Sequence, residues 1–159
     1  MSETFDPQAI FAALHAHGVD YVIVGGIAVQ AHGHVRMTND IDLMPAPTRE
    51  NLDRLAEALN ALHARVLNPG AEHLKIDADM LPRATLWQLS TPHGDIDVLH
   101  QAPGSPPYPQ LRARSLLISL AGGQIPIASR DDLVRMKRAS GRPIDIADIA
   151  ALTEPEHRR

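Results

Sequence analysis

The order of apolar and polar positions along the chain predicts an α+β fold. Apolar residues recur every three to four positions after Asp6 and again after Thr48, so each segment predicts an amphipathic helix with a side-chain cap. Between them, the apolar residues 21–24 predict a buried strand, which a Gly-Gly pair and a short helix over residues 27–32 follow. Residues 40–44 alternate in polarity and predict a second strand.

The second half of the chain is predicted to contain two hairpins and two helices. In chain order the predicted elements are an edge strand at 65–67, an irregular segment at 68–84, a hairpin of strands 85–90 and 95–99, a proline-rich loop at 101–110, a hairpin of strands 116–120 and 124–128, and helices that begin after Ser129 and at Pro143. The loop is expected to be mobile or to face a substrate. The prediction is one domain over residues 1–152 and a polar tail over residues 153–159.

Two aspartates, Asp40 and Asp42, stand one residue apart on the second predicted strand. Successive side chains of a strand point to opposite faces, so these carboxylates share one face while Ile41 and Leu43 face the core. Close carboxylates repel each other unless they are neutralised, and a hard divalent cation prefers such oxygen ligands. The upstream Gly-Gly pair can bring backbone N–H groups up to a phosphate. Each motif alone is also typical of a turn or a solvated strand, but their order predicts chemistry on a nucleoside triphosphate.

A third carboxylate is available on the later strand of the first hairpin. Asp97 lies between Ile96 and Val98, so its side chain points away from the face of those two apolar residues. Asp95 adjoins the turn and, two residues from Asp97, points to the same face of the strand. The alternative is that both acids lie on a solvated outer face. Asp97 is the preferred third ligand because it lies inside the strand.

The order of Gly25, Gly26, Asp40 and Asp42 resembles the signature of the nucleotidyltransferase superfamily that shares the DNA polymerase β-type palm. The resemblance implies a mixed sheet with packed helices and a short helical C-terminal segment. It also implies a transferase that moves a nucleoside monophosphate from a triphosphate to a hydroxyl, with pyrophosphate as leaving group. Its Mg²⁺ or Mn²⁺ would be bound by Asp40, Asp42 and Asp97, and the two glycines would let backbone donors reach the phosphates. Gly26 replaces the serine of other members, so a serine contact is not available.

The C-terminal string MKRASGRPIDIADI resembles the toxin-like branch of this superfamily, which includes the AbiEii-type toxins. The matching residues are Lys137, Gly141, Arg142, Pro143, Asp145, Asp148 and Ile149. The resemblance implies that Lys137 and Arg142 bind the triphosphate, where a compact ammonium charge is well suited. It implies for Asp145 either a general base or a residue that positions Lys137 or Arg142. Arg36 and Thr38 match nucleotide-binding positions before the acidic strand. The alternative is a solvated helix face with charges at i and i+4.

Composition excludes several classes of protein. The chain has 159 residues and no cysteine, which excludes disulfides and thiolate metal sites and favours a reducing, cytoplasmic compartment. It has no apolar run long enough for a membrane span, and the polar first residues do not resemble a secretory signal. Aromatic residues make up 3%, too few for a platform that stacks single-stranded nucleic acid.

The charge distribution leaves the acceptor open. The chain has a net charge of −4, which argues against a dedicated nucleic-acid binder, but residues 112–142 carry +5. The first hypothesis is therefore transfer to RNA, such as a tRNA end, by a toxin with a cognate antitoxin protein. The second is transfer to a small hydroxyl compound or a partner protein, and the third is a non-catalytic, antitoxin-like nucleotide binder. The presence of three carboxylates argues against the third.

Overall fold

A computed structural model describes residues 5–154 and shows one seven-stranded mixed sheet with helices packed on it. The strands are β1 Tyr21–Val24, β2 Asp40–Pro45, β3 Arg65–Val66, β4 Leu86–Thr91, β5 Gly94–Leu99, β6 Leu116–Leu120 and β7 Gly123–Ile127. The helices are α1 Pro7–Ala16, α2 Gly25–Ala31, α3 Arg49–Ala61, α4 Tyr108–Ala113, α5 Arg130–Ser140 and α6 Pro143–Thr153. This architecture confirms the predicted α+β fold.

The sheet has the strand order β3-β4-β5-β2-β1-β7-β6. Its centre is mixed, because β2 runs antiparallel to β1 and parallel to β5. Two hairpins, β4–β5 and β6–β7, extend it on either side, and β7 pairs parallel with β1. The apolar residues of the central strands, including Ile41, Leu43, Ile96 and Val98, are fully buried. The opposite side chains of β2 and β5 are therefore left to line a site.

The helix boundaries follow from local capping. Asp6, Thr48 and Ser129 each accept a hydrogen bond from the backbone N–H three residues ahead, at 3.2, 3.3 and 3.1 Å. Gly141 ends α5 with a φ of 68°, a left-handed conformation that costs glycine little. Along α3, Leu52, Leu55 and Leu59 form the buried stripe that the periodicity predicts.

The structure differs from the sequence prediction at several points. Residues 108–110, predicted as loop, begin the short helix α4, which buries Leu111 in the core. The edge strand has two residues instead of three, and the irregular segment contains a 3-10 turn at Leu81–Arg83. Helix α6 extends one residue into the predicted tail, of which residues 155–159 lie outside the described part, as do residues 1–4. Among the described residues, no helix combines the length and apolar character needed to cross a bilayer.

Candidate active site

Three carboxylates meet where the parallel strands β2 and β5 run side by side. Asp42 lies beside Asp97 and Asp40 beside Asp95 in the register of this pair. Asp40, Asp42 and Asp97 each offer an oxygen that lies within 4.8 Å of the other two, and each side chain is partly buried. Asp95 is exposed and does not belong to this group. The structure thus brings together the three aspartates that the sequence selects, and their role as ligands stays a prediction.

The carboxylate cluster is electrostatically unfavourable as it stands. Burial, together with the charges of Asp40 and Asp97, raises the pKa of Asp42 to about 8. Burial and the charge of Asp40 raise the pKa of Asp97 to about 6. Within the described residues, the buried Oδ1 atom of Asp42 has no hydrogen-bond partner. A positive charge placed among these oxygens would remove the repulsion and supply the missing partner.

The donor set fits a hard divalent cation. All three ligands are carboxylates, which suit Mg²⁺ or Mn²⁺ rather than a metal that prefers thiolate or imidazole. The raised pKa values of Asp42 and Asp97 agree with this, because a bound cation would favour the ionised carboxylates.

The Gly-Gly pair at the start of α2 packs directly against this cluster. Gly25 has a φ of +71°, and a Cβ atom there would overlap the carboxylate of Asp42. A Cβ on Gly26 would lie 2.9 Å from the Thr38 Oγ1 atom, which donates a 3.2 Å hydrogen bond to Asp40 Oδ1. Both glycines therefore make room for the acids and their supporting hydroxyl. Their contact with phosphate stays a prediction.

A second pair of aspartates lies close by in α6, and both are bound to cations of the chain. Asp148 accepts a hydrogen bond of 2.7 Å from Arg36 and lies 3.0 Å from Lys137 Nζ. Asp145 lies 3.3 Å from Lys137 Nζ and 2.9 Å from Arg142 Nε. Asp145 is 0% exposed, Asp148 is 1% exposed and Lys137 is 6% exposed. The network ties the loop before β2 to both C-terminal helices.

This network bears on the predicted roles of its members. Burial acts to raise the pKa of Asp145, but hydrogen bonds from Arg142, Ser140 and Lys137 outweigh it and keep the pKa below its usual range. Such a carboxylate is a poor proton acceptor, so the geometry favours Asp145 as a residue that positions Lys137 and Arg142. Lys137 Nζ lies within 3.3 Å of both aspartates, which accounts for two of its three donors. Arg36 pairs with Asp148 through Nη1. The contact of either residue with a phosphate stays a prediction.

Two of the three carboxylates, Asp42 and Asp97, line a cleft of about 350 Å³, and Asp40 lies beside them outside its lining. Its lining is Val24, Gly25, Asp42, Leu86, Gln88, Asp97, Leu99, Ala102, Pro103, Leu133, Met136, Lys137, Ser140, Arg142 and Asp145. Sequence reasoning missed Leu86, Gln88 and Leu99. The short turn of the β4–β5 hairpin could have identified them. A two-residue turn fixes the register of the two strands, and this register sets Gln88 opposite Asp97 on the same face.

Two arginines of the basic segment 112–142, which underlies the RNA hypothesis, lie elsewhere. Arg135 and Arg138 line a different cavity of about 540 Å³, between α5 and the end of α6. The residues of α5 that line the carboxylate cleft are Leu133, Met136, Lys137 and Ser140, on another side of the helix. The arginines and the cleft lie on different sides of α5. The carboxylates therefore do not imply a polyanion site at Arg135 and Arg138.

The fold is shared with nucleotidyltransferases of known structure. The lincosamide antibiotic adenylyltransferase LnuA, with lincomycin bound, matches with a TM-score of 0.66 and 13% identity over 96% of this chain and 99% of its own. The antibiotic-resistance factor ANT(2'')-Ia, in complex with adenylyl-2''-tobramycin, matches with a TM-score of 0.58 and 18% identity over 92% of this chain and 84% of its own. An antigenic nucleotidyltransferase-like protein from Paracoccidioides brasiliensis matches with a TM-score of 0.58 and 17% identity over 95% of this chain and 78% of its own. At these identities the likeness shows the fold.

Sequence comparison places the chain in a family. A search of curated protein sequences finds no match. The model of a family described as nucleotidyltransferase of unknown function, DUF6036, matches residues 8–153. These findings confirm the superfamily that the Gly-Gly and Asp-x-Asp motifs indicate, and they do not show its toxin-like branch. The chain therefore belongs to the nucleotidyltransferase family DUF6036.

Proposed function

We propose that the protein transfers a nucleoside monophosphate from a nucleoside triphosphate to a hydroxyl group of a small molecule, with Mg²⁺ or Mn²⁺. The observation that carries the proposal is the cluster of Asp40, Asp42 and Asp97, two of which line a cleft of about 350 Å³. This volume falls within the range of small-molecule sites. The structural neighbours LnuA and ANT(2'')-Ia are named as an antibiotic adenylyltransferase and an antibiotic-resistance factor, which supports a small acceptor over RNA.

The chain's own residues divide the work within the cleft. When bound, the divalent metal supplies Lewis-acid stabilisation of the charge on the phosphates. Asp40, Asp42 and Asp97 are the residues that would bind it. Lys137 and Arg142, positioned by Asp145, place positive charge toward the triphosphate.

The bonds change at the α-phosphorus. The acceptor hydroxyl oxygen attacks this atom, the bond to the β-phosphate oxygen breaks, and pyrophosphate leaves with the bonding electron pair. Asp97 accepts the hydroxyl proton, since Asp145 is saturated with hydrogen bonds from Arg142 and Lys137. Catalysis is then mainly positioning and charge stabilisation.

The test is a labelling reaction with three separated fractions. The protein is incubated with each α-labelled nucleoside triphosphate, Mg²⁺, a set of small hydroxyl compounds, and total RNA, and then RNA, protein and small molecules are separated. We expect label in the small-molecule fraction together with released pyrophosphate. The matched controls are Asp97→Asn, expected to be inactive, and Asp95→Asn, expected to be active. Label in RNA would contradict the proposal and restore the RNA hypothesis.

A further inference from the structure

One flank of the cleft is an apolar strip on the β4–β5 hairpin. In the hairpin register Gln88 lies opposite Asp97 and Leu86 lies opposite Leu99, so these side chains share the face of the carboxylates. Trp87 and the other alternate residues of the hairpin are buried on the opposite face. Leu86 is 37% exposed, and it lines the cleft together with Leu99. The strip therefore presents apolar surface directly beside Asp97.

The proline-rich loop and α5 complete this flank with further apolar groups. Ala102 and Pro103 line the cleft from the loop, and Leu133 and Met136 line it from α5. Gly104 fixes the loop against α5, because its φ is +80° and a Cβ there would come within 2.6 Å of the Arg135 carbonyl oxygen. The loop is thus a packed side of the cleft.

The charges of the cleft provide no dedicated partner for a cationic ligand on this flank. Of the described residues that line the cleft, the acidic ones are Asp42, Asp97 and Asp145. The first two belong to the proposed metal cluster, and Asp145 is paired with Lys137 and Arg142. With a metal in place, no described lining carboxylate remains for an ammonium group, whose desolvation would go uncompensated.

The apolar strip is distant from Gly25, the glycine of the predicted phosphate-binding turn that lines the cleft. Gly25 follows β1, whereas Leu86 and Gln88 lie on β4, and the strand order puts β5 and β2 between them. Three strand spacings correspond to about 14 Å. The carboxylate cluster lies in the middle, as a transfer from one bound molecule to another requires.

We infer that this strip is the acceptor subsite and that the acceptor is an uncharged hydroxyl compound with an apolar face, not a polyamine. The inference rests on the proposed function. Leu86, Leu99, Ala102 and Pro103 contact the apolar face of the acceptor. The carboxamide of Gln88, opposite Asp97, offers a donor and an acceptor to its polar groups and so orients the reacting hydroxyl.

The acceptor class is tested with matched probes. The protein, Mg²⁺ and labelled nucleoside triphosphate are mixed with equal amounts of phenyl and octyl glucosides, as neutral acceptors with an apolar face, and of the corresponding 2-amino-2-deoxyglucosides. We expect label on the neutral glucosides at least about tenfold above the amino sugars. Equal label, label on amino sugars only, or label on neither class overturns the inference. Label on RNA or protein in a parallel reaction contradicts the proposed function itself.

The location of the subsite is tested by substitution in the hairpin. We expect Leu86→Glu and Gln88→Ala to raise the KM of the neutral acceptor at least about tenfold while the KM of the triphosphate stays within twofold. Leu86→Glu should also lower the ratio of label on neutral glucosides to label on amino sugars, because the new carboxylate can pair with an ammonium group. The matched control is Leu67→Glu, since Leu67 is exposed and does not line the cleft. A parallel loss of triphosphate affinity would show that the strip binds the nucleobase, and the inference would be wrong.

Discussion

Two groups of aspartates surround the same cleft and differ in what neutralises them. Asp40, Asp42 and Asp97 face each other on the sheet, and the pKa values of Asp42 and Asp97 are raised. Asp145 and Asp148 on α6 are more deeply buried, but they are bound by Lys137, Arg36 and Arg142, and the pKa of Asp145 is lowered. The residue type is the same, and the partners decide the outcome.

The contrast indicates different roles for the two groups of aspartates. The group on α6 has its cations within the chain, so it stabilises the fold and positions basic side chains. For the group on the sheet, the expected cation is a bound metal ion, because Asp40 raises the pKa of both Asp42 and Asp97 while Lys137 pairs with the α6 group. The largest effects on activity are therefore expected from the sheet group, and the largest effects on stability from the α6 group.

Removal of one acid from the sheet group should abolish activity and spare the fold. We expect Asp40→Asn and Asp42→Asn each to lower the transfer rate on the order of 10³-fold or more, because charge stabilisation at the phosphates is lost. Above about pH 8, where Asp42 is ionised, the melting temperature without metal should be unchanged or higher, since a repelling charge is removed. Asp95→Asn is the control and should retain activity. Unchanged turnover in Asp40→Asn or Asp42→Asn would refute their assignment as ligands.

Removal of one acid from the α6 group should destabilise the protein. Asp148→Ala leaves the buried Lys137 and the Arg36 side chain without their shared partner. We expect a loss of about 3–5 kcal/mol in the free energy of unfolding, measured by urea denaturation without metal. Asp131→Ala, at an exposed position of α5, is the control. A loss below about 1 kcal/mol would mean that the network does not stabilise the fold.

The part of this picture that depends on local pattern could be predicted from sequence. Alternation put Asp40 and Asp42 on one face of their strand and Asp97 opposite the apolar face of its own, and the cap residues fixed the helix starts. Pairings between distant segments could not be predicted in this way. Arg36 meets Asp148 across 112 positions of sequence, and no local pattern indicated this ion pair.

The helix α4 shows a second limit of sequence reasoning. Its six residues follow consecutive prolines and include Pro109, so local composition indicated a loop. Pro109 is tolerated because it stands in the first turn, where its missing N–H has no helical partner. Burial of Leu111 against the core stabilises the helix, and this tertiary contact is not visible in the local pattern.

The two lysines of the chain provide a matched test of whether the α6 aspartates position a lysine for the nucleotide. Lys137 lines the cleft and contacts both α6 aspartates, whereas Lys75 is exposed in the irregular segment. We expect Lys137→Ala to lower kcat/KM for the triphosphate about 10- to 100-fold, through the loss of a charged phosphate contact. Lys75→Ala should have no effect. Equal effects of the two substitutions would make Lys137 an ordinary charged residue with respect to the nucleotide.

The raised pKa values predict how the metal-free protein responds to pH. Native Asp42 binds its proton up to about pH 8, whereas an unfolded aspartate loses it near pH 4, so the native state binds more protons between these values. The free energy of unfolding should therefore fall as pH rises from about 4 to 8, by at most ~1.4 kcal/mol per pH unit for each proton. Chemical denaturation across this range measures it. Asp42→Asn should flatten the dependence, and an equally steep fall in that variant would contradict the assignment.

The smallest effect is expected from the outer side of α5. Arg135 and Arg138 do not line the carboxylate cleft. The double substitution Arg135→Ala and Arg138→Ala should leave transfer to a small acceptor within about twofold at low and high salt. A strong loss in this variant, together with a steep fall of activity with salt, would indicate a polyanionic acceptor such as RNA.

Metal binding tests the central claim most directly, because it does not require the acceptor to be known. Equilibrium dialysis of Mn²⁺ with a non-hydrolysable triphosphate analogue is compared for the wild type, Asp42→Asn and Asp95→Asn, after correction for metal bound by the analogue alone. We expect the wild type and Asp95→Asn to bind Mn²⁺ with similar Kd values and Asp42→Asn to bind it at least about tenfold more weakly. Equal Mn²⁺ binding by Asp42→Asn and the wild type would contradict the assignment of this cluster as the metal site.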